Sequence, residues 1–504
     1  KFTIAINAVT DERVTYGEIV QQSMNFALSL TRMGVRKGET IGLLSENRQE
    51  FWGAAIGVVC AGAVLTTIST GYVKVELLHT MDISKPSFII CSPAMFKKHF
   101  DILKTIPFLK KIILFGDEPY PDALMFNDLT FEKNNLIKNV QYEEFKSVTV
   151  EGQNDTLFVL YSSGTTGLPK GVMLTHLNVI TACRLPPSHD PREITLTISP
   201  WYHTMGLVGW LMAMTVGRTG VYITKFEIDL YMKTIEKYKV VQLIVVPPVL
   251  VAACKYECSY DVSSIKLVYS GAAPLHKDTT VAVRKRFPHV TGVYQGYGAT
   301  EVTLGILRHS FEDFVTNKDG SVGLVVASTV IKVVDQETSK PVGPNTQGEI
   351  CAKGEMVMKG YIGRDHSEDF DDEGFYKTGD IGYYDDDRYF YIVDRLKELI
   401  KYNGFQVPPA ELEAVLLQHP DIKEAAVIGV PDTVAGEVPL AFVVTQPGKV
   451  LDEKEVQDFI ANRLSNPKHL RGGVRFIKQI PKSASGKLLR KELRNILKTV
   501  KSNL

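Results

Sequence analysis

One short stretch of the chain combines glycine, hydroxyl side chains and a lysine at unusual density. Residues 161–171 read Tyr-Ser-Ser-Gly-Thr-Thr-Gly-Leu-Pro-Lys-Gly and follow the apolar run Thr156–Leu160. Glycines allow backbone N–H groups to face an anion, the hydroxyls donate hydrogen bonds, and Lys170 adds a positive charge. A solvent-exposed turn needs no such density of donors, and the order of a Walker A loop is absent. The stretch therefore predicts a polyphosphate-binding loop of another kind.

Several charged or aromatic residues can be interpreted as functional only because of the motifs that surround them. Alone, Lys487 would be an ordinary surface lysine, and Glu301 or Asp380 an ordinary solvated or capping carboxylate. Tyr297 would by default pack in a core, but the glycines beside it thin the backbone and can leave a ring face open to a flat ligand. Each of these four residues lies in a short motif. The chain has five such motifs, namely Ser270–Leu275, Gln295–Glu301, Tyr376–Asp380, Asp394–Lys397 and Pro481–Lys487.

Together with residues 161–171, these motifs resemble those of the adenylate-forming superfamily, which contains acyl-CoA synthetases, adenylation domains and beetle luciferases. The resemblance runs over essentially the whole chain and favours the insect luciferase-like fatty acyl-CoA synthetases. It implies ATP, Mg²⁺ and coenzyme A as cofactors and a small carboxylic acid as substrate. The ATP contacts that it implies are Ser162, Ser163, Gly164, Thr165, Thr166, Gly167, Lys170, Gly271, Ala272, Ala273, Gln295, Gly296, Tyr297, Gly298, Asp380 and Arg395.

The resemblance also implies roles for individual residues. Tyr297 would stack on adenine, Thr300 would bind phosphate and Glu301 would hold Mg²⁺, while Asp380 would accept hydrogen bonds from ribose hydroxyls. Attack of a carboxylate on the α-phosphate brings two anions together, so positive charge must be preorganised around the phosphorus. Magnesium on Glu301 and the ammonium group of Lys487 would supply that charge.

A second lysine, Lys401, matches the family lysine that faces the active site when the carboxyl-terminal domain rotates for thioester formation. Two lysines on two faces of one domain make sense only if that domain moves. A hinge in the segment 394–397, with Lys397 absorbing the backbone change, would give each half-reaction its own enclosed site.

The acyl site is expected around His203. A histidine among aromatic residues is by default core packing, but the resemblance favours a position beside the acyl carboxylate. Arg184 corresponds to a luciferin-contacting arginine of luciferases, and a surface cation is its alternative. The predicted pocket residues are Arg184, Thr204, Met205, Gly209 and Leu304.

Two departures from the luciferase pattern bear on the substrate. Luciferases typically carry a small hydroxyl residue at the position of Leu304, and they usually read His-His-Gly-Phe where this chain has residues 202–205, Tyr-His-Thr-Met. A leucine cannot donate a hydrogen bond, and a thioether is flexible where an aromatic ring is flat. Both departures favour the aliphatic tail of a medium or long fatty acid.

Composition limits the remaining possibilities. With 504 residues the chain needs at least two domains. The 57 basic residues balance the 57 acidic ones, which gives nucleic-acid binding no electrostatic support. Six dispersed cysteines indicate a reducing compartment. Cys254 and Cys258 are expected to pack on one helix face without binding a metal. The apolar run Ala54–Leu65 reads as a buried helix that turns into a strand, so we expect no membrane segment.

The elements predict an α/β fold with a small separate α+β domain at the carboxyl end. Together with the resemblance, they imply a large N-terminal α/β domain of several subdomains, residues 1–394, and a small mobile α+β C-terminal lid domain, residues 395–504. A helix is predicted from Thr15, whose spacing to Glu18 is that of a capping box, to Gly34. Strands are predicted at 40–44, 87–91, 111–115 and 389–393. The predicted elements of the C-terminal domain are a helix starting at Pro408-Pro409, strands near 425–430 and 440–444, and a helix near 452–464.

Three other functions stay open at this stage. A luciferase would form the same adenylate and let O₂ attack it. An adenylation enzyme would serve a carrier protein, which the luciferase-like stretch Leu470–Phe476 disfavours. A nucleotide-binding regulator is disfavoured by the presence of both lysines and Glu301. The ending Ser502-Asn503-Leu504 is close to a peroxisomal address but lacks its basic residue, so the location is peroxisomal or otherwise cytoplasmic.

Overall fold

The computed structural model describes residues 2–131, 139–162, 169–185, 190, 192–271, 275, 277–309, 318, 320–396, 398–402, 405–432, 434–464, 466–482 and 488–501. Up to residue 325 the elements are β1 (Thr3–Asn7), β2 (Arg13–Thr15), α1 (Tyr16–Arg32), β3 (Thr40–Leu44), α2 (Glu50–Cys60), β4 (Val64–Ile68), α3 (Lys74–Ser84), β5 (Phe88–Cys91), α4 (Pro93–Leu103), β6 (Lys111–Leu114), β7 (Leu124–Met125), α5 (Phe126–Thr130), β8 (Thr156–Ser162), β9 (Lys170–Thr175), α6 (His176–Cys183), β10 (Thr195–Thr197), α7 (Thr204–Thr215), β11 (Gly220–Tyr222), α8 (Ile228–Tyr238), β12 (Gln242–Val245), α9 (Pro247–Lys255), β13 (Leu267–Ser270), α10 (Lys277–Arg286), β14 (Gly292–Tyr297), β15 (Leu307–Arg308) and β16 (Leu324–Val325).

The remaining elements are β17 (Thr329–Val334), β18 (Gly348–Gly354), β19 (Gly360–Tyr361), α11 (His366–Asp369), β20 (Tyr376–Tyr384), β21 (Phe390–Arg395), β22 (Ile400–Tyr402), β23 (Phe405–Val407), α12 (Pro409–Leu416), β24 (Ile422–Asp432), β25 (Gly436–Thr445), α13 (Glu453–Ala461), β26 (Gly473–Phe476) and α14 (Arg490–Lys501). Short 3₁₀ turns lie at Tyr142–Glu144, Thr300–Val302 and Asn466–Lys468.

Local signals in the sequence place the first elements correctly. The Thr15 hydroxyl accepts from the backbone N–H of Glu18 at 3.3 Å, and the Glu18 carboxylate accepts from the N–H of Thr15 at 2.7 Å, which is the predicted capping box. Strands β3, β5 and β6 form where predicted, and the apolar run 54–65 supplies the end of α2 and the start of β4. In the described residues, every helix is too short or too polar to cross a membrane.

Two large sheets carry most of the amino-terminal part. One has the strand order β19-β9-β8-β4-β3-β5-β6-β7 and the other β16-β15-β14-β13-β12-β10-β11-β1-β2. In both, the central strands run parallel and are joined through helices, while the pairs β8–β9 and β14–β15 are antiparallel. Strand β4 is buried along its whole length, as strands covered on both faces are. The carboxyl ends of parallel strands offer a crevice for ligands.

The carboxyl-terminal part is built from smaller sheets. Strands β17-β18-β20-β21 form an antiparallel sheet, and β22–β26 form a separate sheet on which α12, α13 and α14 pack. The predicted fold class, α/β with a smaller α+β part at the carboxyl end, is confirmed. The domain boundary at 394–397 and the mobility of the last part stay predictions, and Lys397 lies outside the described residues.

All three tryptophans of the chain belong to one buried aromatic cluster. Trp52 comes from α2, Trp201 from the turn before α7, and Trp210 from α7 itself, with ring centroids 4.8–6.3 Å apart. Phe51 and Tyr222 complete the cluster at 5.4 and 4.8 Å from Trp201. Because α2 packs beside the first sheet and β11 belongs to the second, the cluster holds the two sheets together.

The expectation of one helix face for Cys254 and Cys258 is wrong. Helix α9 ends at Lys255, so Cys258 follows in an irregular segment, where Arg286 donates to its sulfur at 3.2 Å. Both cysteines still pack against the same apolar cluster. Within the described ranges, no group of three or more His, Cys, Asp or Glu side chains could hold a metal.

A buried charge cluster joins the predicted hinge to the last helix. Arg490 donates to Glu398 at 2.8 Å and to Glu413 at 2.7 Å, and its Nε donates to the Val427 carbonyl at 3.2 Å. Burial raises the pKa of Glu413 and of Asp394, and the Arg490 charge opposes the rise in both. The positive charge of one guanidinium therefore offsets the desolvation cost of several carboxylates.

We predict that Arg490→Met lowers the free energy of unfolding of the region around α12–α14 by about 3–5 kcal/mol, because it leaves buried carboxylates without their cation. Urea unfolding of the full chain, followed by circular dichroism, measures the change. The matched control is Lys454→Met, which removes an exposed partner of Asp458 and should shift the unfolding curve far less. Equal shifts for the two variants would contradict the role of the cluster.

Candidate active site

A tight chain reversal after β14 forms the centre of the site. Strand β14 ends at Tyr297, and the chain turns through Thr300–Val302 before β15. A Cβ on Gly298 would lie 1.8 Å from the carbonyl oxygen of Leu304. Thr303 and Leu304 adopt positive φ angles of 52° and 99°, which side chains disfavour. The reversal is therefore strained, and it can close only because residue 298 has no side chain.

Tyr297 is tied to Asp380 across two sheets. The Tyr297 hydroxyl donates to the Asp380 carboxylate at 2.6 Å, and Nε of Arg395 lies 3.5 Å from the same carboxylate. Burial raises the pKa of Tyr297 well above its ordinary value, and the Asp380 charge raises it further. The hydroxyl therefore stays protonated and acts as the donor, which holds both side chains in the cavity wall.

Thr300 and Glu301 are fixed by residues distant in sequence. The Thr204 hydroxyl, at the start of α7, donates to the Thr300 hydroxyl at 2.9 Å. The Tyr361 hydroxyl donates to Glu301 Oε1 at 2.7 Å. The ring of Tyr361 also lies 4.4 Å from Nζ of Lys170, in a cation–π contact. Tyr361 thus connects the lysine of the predicted phosphate loop with the predicted metal carboxylate.

Glu301 has the chemistry of a magnesium ligand. It is buried and lines the cavity, and the Tyr361 hydroxyl occupies one of its two oxygens. Proteins commonly hold Mg²⁺ through one or two carboxylates together with substrate phosphates. Since the described residues contain no three-ligand cluster, a magnesium ion at Glu301 would need phosphate oxygens to complete its coordination.

These residues surround one cavity of about 1190 Å³. Small-molecule sites usually have about 300–1,000 Å³, so this cavity has room for a nucleotide together with a second ligand. The predicted site residues that line it are Ser162, Lys170, His203, Thr204, Met205, Gly209, Gly271, Gln295, Gly296, Tyr297, Gly298, Thr300, Glu301, Leu304, Asp380 and Arg395.

The lining of the cavity includes many apolar side chains. Among them are Ala182, Leu185, Ile198, Met205, Met212, Val246, Val249, Leu304 and Val326. His203 also lines the cavity and is the N-cap residue of α7. A Cβ on Gly206 would lie 2.0 Å from the Pro200 carbonyl oxygen, so glycine allows the turn before α7 to pack closely on the helix. A Cβ on Gly209 would meet nothing within 4 Å, so this glycine leaves open space.

Some predicted residues fall elsewhere. Arg184 is exposed at the C-cap of α6 and is not among the cavity-lining residues, although Leu185 is. Lys401 is exposed on β22 and does not line the cavity either, whereas Lys482 does. The roles of Arg184 and Lys401 stay predictions. The predicted residues that lie outside the described ones are Ser163, Gly164, Thr165, Thr166, Gly167, Ala272, Ala273 and Lys487.

The sequence interpretation missed Tyr361, Arg308 and Lys482. Tyr361 follows Glu301 by 60 residues, so no spacing rule links them. Arg308 is a single cation directly after the apolar stretch 304–307. A charged residue in such a position could have marked it as a candidate site residue. Lys482 belongs to the motif 481–487 and could have been singled out with Lys487.

The fold and the site define a class of protein. Residues 3–362 match the family model of AMP-binding enzymes, and residues 411–487 match that of the AMP-binding enzyme C-terminal domain. The first match covers more than half of the chain, so the chain belongs to the AMP-binding enzyme family. The predicted membership of the adenylate-forming superfamily is confirmed, with a large amino-terminal and a smaller carboxyl-terminal domain.

Curated relatives include both luciferases and ligases. Luciferin 4-monooxygenase of Nipponoluciola cruciata is 41% identical, over 98% of this chain and 91% of the relative. 4-Coumarate–CoA ligase 1 of Petroselinum crispum is 38% identical, over 97% of this chain and 90% of the relative. Among solved structures, ATP-bound MatB from Rhodopseudomonas palustris has a TM-score of 0.86 at 25% identity, over 99% of this chain and 96% of that one.

We predict that Gly298→Ala lowers the rate of acyl-adenylate formation by about 100-fold or more, because the added Cβ displaces the reversal that carries Thr300 and Glu301. ATP–pyrophosphate exchange measures this step. Gly305→Ala is the matched control, since the nearest atom to its Cβ would lie 3.8 Å away, and it should keep most of the activity. Similar losses in the two variants would show that the close approach at residue 298 is not the cause.

Proposed function

We propose that this enzyme activates a medium- or long-chain fatty acid with ATP as its acyl-adenylate and transfers the acyl group to coenzyme A. The observation that carries the proposal is the cavity itself, in which Tyr297, Thr300, Glu301 and Asp380 line the same space as His203 and many apolar side chains. Polar lining suits a nucleotide, and apolar lining suits an aliphatic tail.

The relatives support the ligase part of the proposal. O-Succinylbenzoate coenzyme A synthetase from Bacillus subtilis was solved with ATP and a magnesium ion, and it shares 28% identity and a TM-score of 0.80 with this chain, over 98% of this chain and 97% of that one. Its cofactors are those proposed here. The choice of a fatty acid as the substrate depends on the apolar residues that line the cavity, and not on these relatives.

The first half-reaction joins a carboxylate to the α-phosphate and releases pyrophosphate. Lys170, beside the Tyr361 ring and Asp369, and Lys482, which lines the cavity and pairs with Glu424, are cations of this chain at the site, and we assign the central cationic role to Lys487. Bound Mg²⁺ would neutralise phosphate charge when held by Glu301. Tyr297 and Asp380 would orient the adenosine, and His203 would lie beside the acyl carboxylate. These fixed charges lower the barrier between two anions.

The second half-reaction needs a different arrangement of the carboxyl-terminal part. Lys482 lines the cavity while Lys401 is exposed, as expected for the arrangement that forms the adenylate. We propose that rotation at residues 394–397 brings Lys401 to the site for thioester formation. During this rotation, the contact between Arg490 and Glu398 described above would either break or move as a unit with the carboxyl-terminal part.

Single lysine substitutions should separate the two half-reactions. We predict that Lys487→Ala abolishes adenylate formation but leaves thioester formation from a preformed acyl-adenylate largely intact, and that Lys401→Ala has the reverse effect. Pyrophosphate exchange measures the first step, and acyl-CoA release from synthetic acyl-adenylate measures the second. Equal loss of both steps in both variants would contradict the two-arrangement mechanism.

A luciferase is the second candidate, favoured by the 41% identity to a luciferin 4-monooxygenase. Leu304 argues against it, since this half-buried residue lines the cavity with an isobutyl group and cannot donate a hydrogen bond. The general test is CoA-dependent AMP release across a panel of fatty, aryl and luciferin-like acids. AMP release with none of these acids would contradict the proposed function.

We predict AMP release with medium and long fatty acids and little or no light with luciferin. Leu304→Ser should raise light output and lower kcat/KM for fatty acids by about 10- to 200-fold, because apolar contact is lost and a hydroxyl is gained. Luminometry and the AMP assay on the same preparations measure both effects. Bright light from the unmodified chain without ligation of any fatty acid would assign the chain to the luciferases.

A further inference from the structure

Strand β20 bulges where it reaches the cavity. Glu349 on β18 pairs with Ile381 on β20. Two residues later on β18, Cys351 pairs with Lys377, which lies four residues before Ile381. The extra residues of β20 therefore form a bulge at 378–380, which we call the ribose bulge because its last residue is the aspartate predicted to bind ribose. Bulges of this kind redirect a side chain and are common beside active sites.

Three contacts hold the backbone of the ribose bulge. The carboxylate of Glu349 accepts from the N–H of Gly379 at 2.9 Å. The Thr378 hydroxyl donates to the carbonyl of Ile350 at 2.7 Å. The carbonyl of Gly379 accepts from the N–H of Leu396 at 2.8 Å. Gly379 has a positive φ of 71°, a conformation that glycine adopts readily. The bulge is thus a defined conformation, and both backbone polar groups of its middle residue have partners.

The two contacts of Gly379 differ in how they relate to the predicted hinge. Leu396 lies within the segment 394–397, so the rotation proposed above would change its contact with Gly379. Glu349 lies on β18, between β17 and β20 in the sheet. Both Glu349 and Gly379 precede the hinge segment, so the rotation can leave their contact in place. Glu349 is therefore the anchor of the middle of the bulge in both arrangements.

The surroundings of Glu349 suit this role. The side chain is half-buried and lines the cavity beside the bulge. Burial raises the pKa of Glu349, and the N–H of Gly379 and the charge of Lys377 oppose the rise. A carboxylate forms a stronger hydrogen bond with a backbone N–H than a neutral acceptor does. Without that acceptor, the Gly379 N–H would stay partly buried and unsatisfied, which favours a shift of the bulge.

We propose that Glu349 is a positioning residue that keeps the ribose bulge in place, so that Asp380 retains the acyl-adenylate while the carboxyl-terminal part rotates. This inference rests on the proposed function, because it requires the adenylate to stay bound between the two half-reactions. Glu349 acts through the backbone of Gly379 and does not touch the reacting atoms. The ligands that it helps to hold are adenosine phosphates and phosphate esters whose ribose carries both hydroxyls.

The first measurement is nucleotide binding, which needs neither an acid nor turnover. Isothermal titration calorimetry compares the Kd of ATP with those of 2′-deoxy-ATP and 3′-deoxy-ATP. The unmodified enzyme should bind ATP about 10-fold more tightly than at least one analogue, because Asp380 accepts from a ribose hydroxyl. Glu349→Ala should bring this ratio close to one, because a misplaced carboxylate no longer reads the hydroxyl. Glu349→Gln should keep most of the ratio, since its amide oxygen can still accept from Gly379.

The second measurement follows the adenylate itself. Reactions with a fatty acid, ATP and CoA are passed through an ultrafilter, and chromatography of the filtrate gives the amounts of free acyl-AMP and acyl-CoA. The unmodified enzyme should release acyl-CoA with little acyl-AMP. Glu349→Ala should raise the ratio of free acyl-AMP to acyl-CoA by about 10-fold, because lost affinity appears mainly as faster dissociation. Glu349→Gln should stay close to the unmodified enzyme.

Glu337→Ala is the matched control, since it removes an exposed glutamate between β17 and β18, and it should change neither measurement. Should Glu349→Ala fail to fold, as judged by circular dichroism, Glu349→Leu fills the same space without an acceptor and takes its place. Equal weakening of ATP and both analogues would indicate a general structural effect and overturn the inference. An unmodified enzyme that does not distinguish the analogues would overturn it as well, with fatty-acid activation intact. Failure to form acyl-AMP with any acid would instead reject the proposed function, and the binding ratio would still decide the role of Glu349 at the ribose bulge.

Discussion

The close approach of residue 298 to the Leu304 carbonyl is the constraint on which the site depends. Without it, the chain after β14 could not turn back within a few residues, and Thr300 and Glu301 would not lie at the end of the sheet. Within this turn, Thr303 and Leu304 adopt strained, positive φ angles. Such strain persists only where the surrounding structure determines it, which is common at functional sites.

The site must accommodate several negative charges. Its carboxylates are costly to bury, and they lie where a polyphosphate and another carboxylate must bind. Tyrosine hydroxyls hold two of these groups, Tyr297 on Asp380 and Tyr361 on Glu301. A neutral donor stabilises a carboxylate without adding a cation that would compete for the phosphates. Lys170, which lies 3.9 Å from Asp369 and against the Tyr361 ring, lines the same cavity.

Much of this arrangement could be predicted from the sequence, because glycine-rich motifs keep their chemistry within a few residues of each other. The capping box at Thr15 and the site motif at Gln295–Glu301 are local signals of this kind. Tyr361 could not be predicted, since its contact with Glu301 arises from the pairing of β19 with β9. Cys258 was misplaced because nothing in the sequence around it marks the end of α9 as clearly as a glycine or proline would.

The aromatic cluster that holds all three tryptophans gives the chain an optical property. Every indole that emits light after ultraviolet excitation lies between α2, the turn before α7, and α7 itself, and that helix also carries cavity-lining Met205 and Gly209. Indole emission responds to the polarity and packing of its surroundings. The tryptophan fluorescence of the molecule therefore comes from one place, next to the helix that carries Met205 and Gly209, and no engineered label is needed to observe changes there.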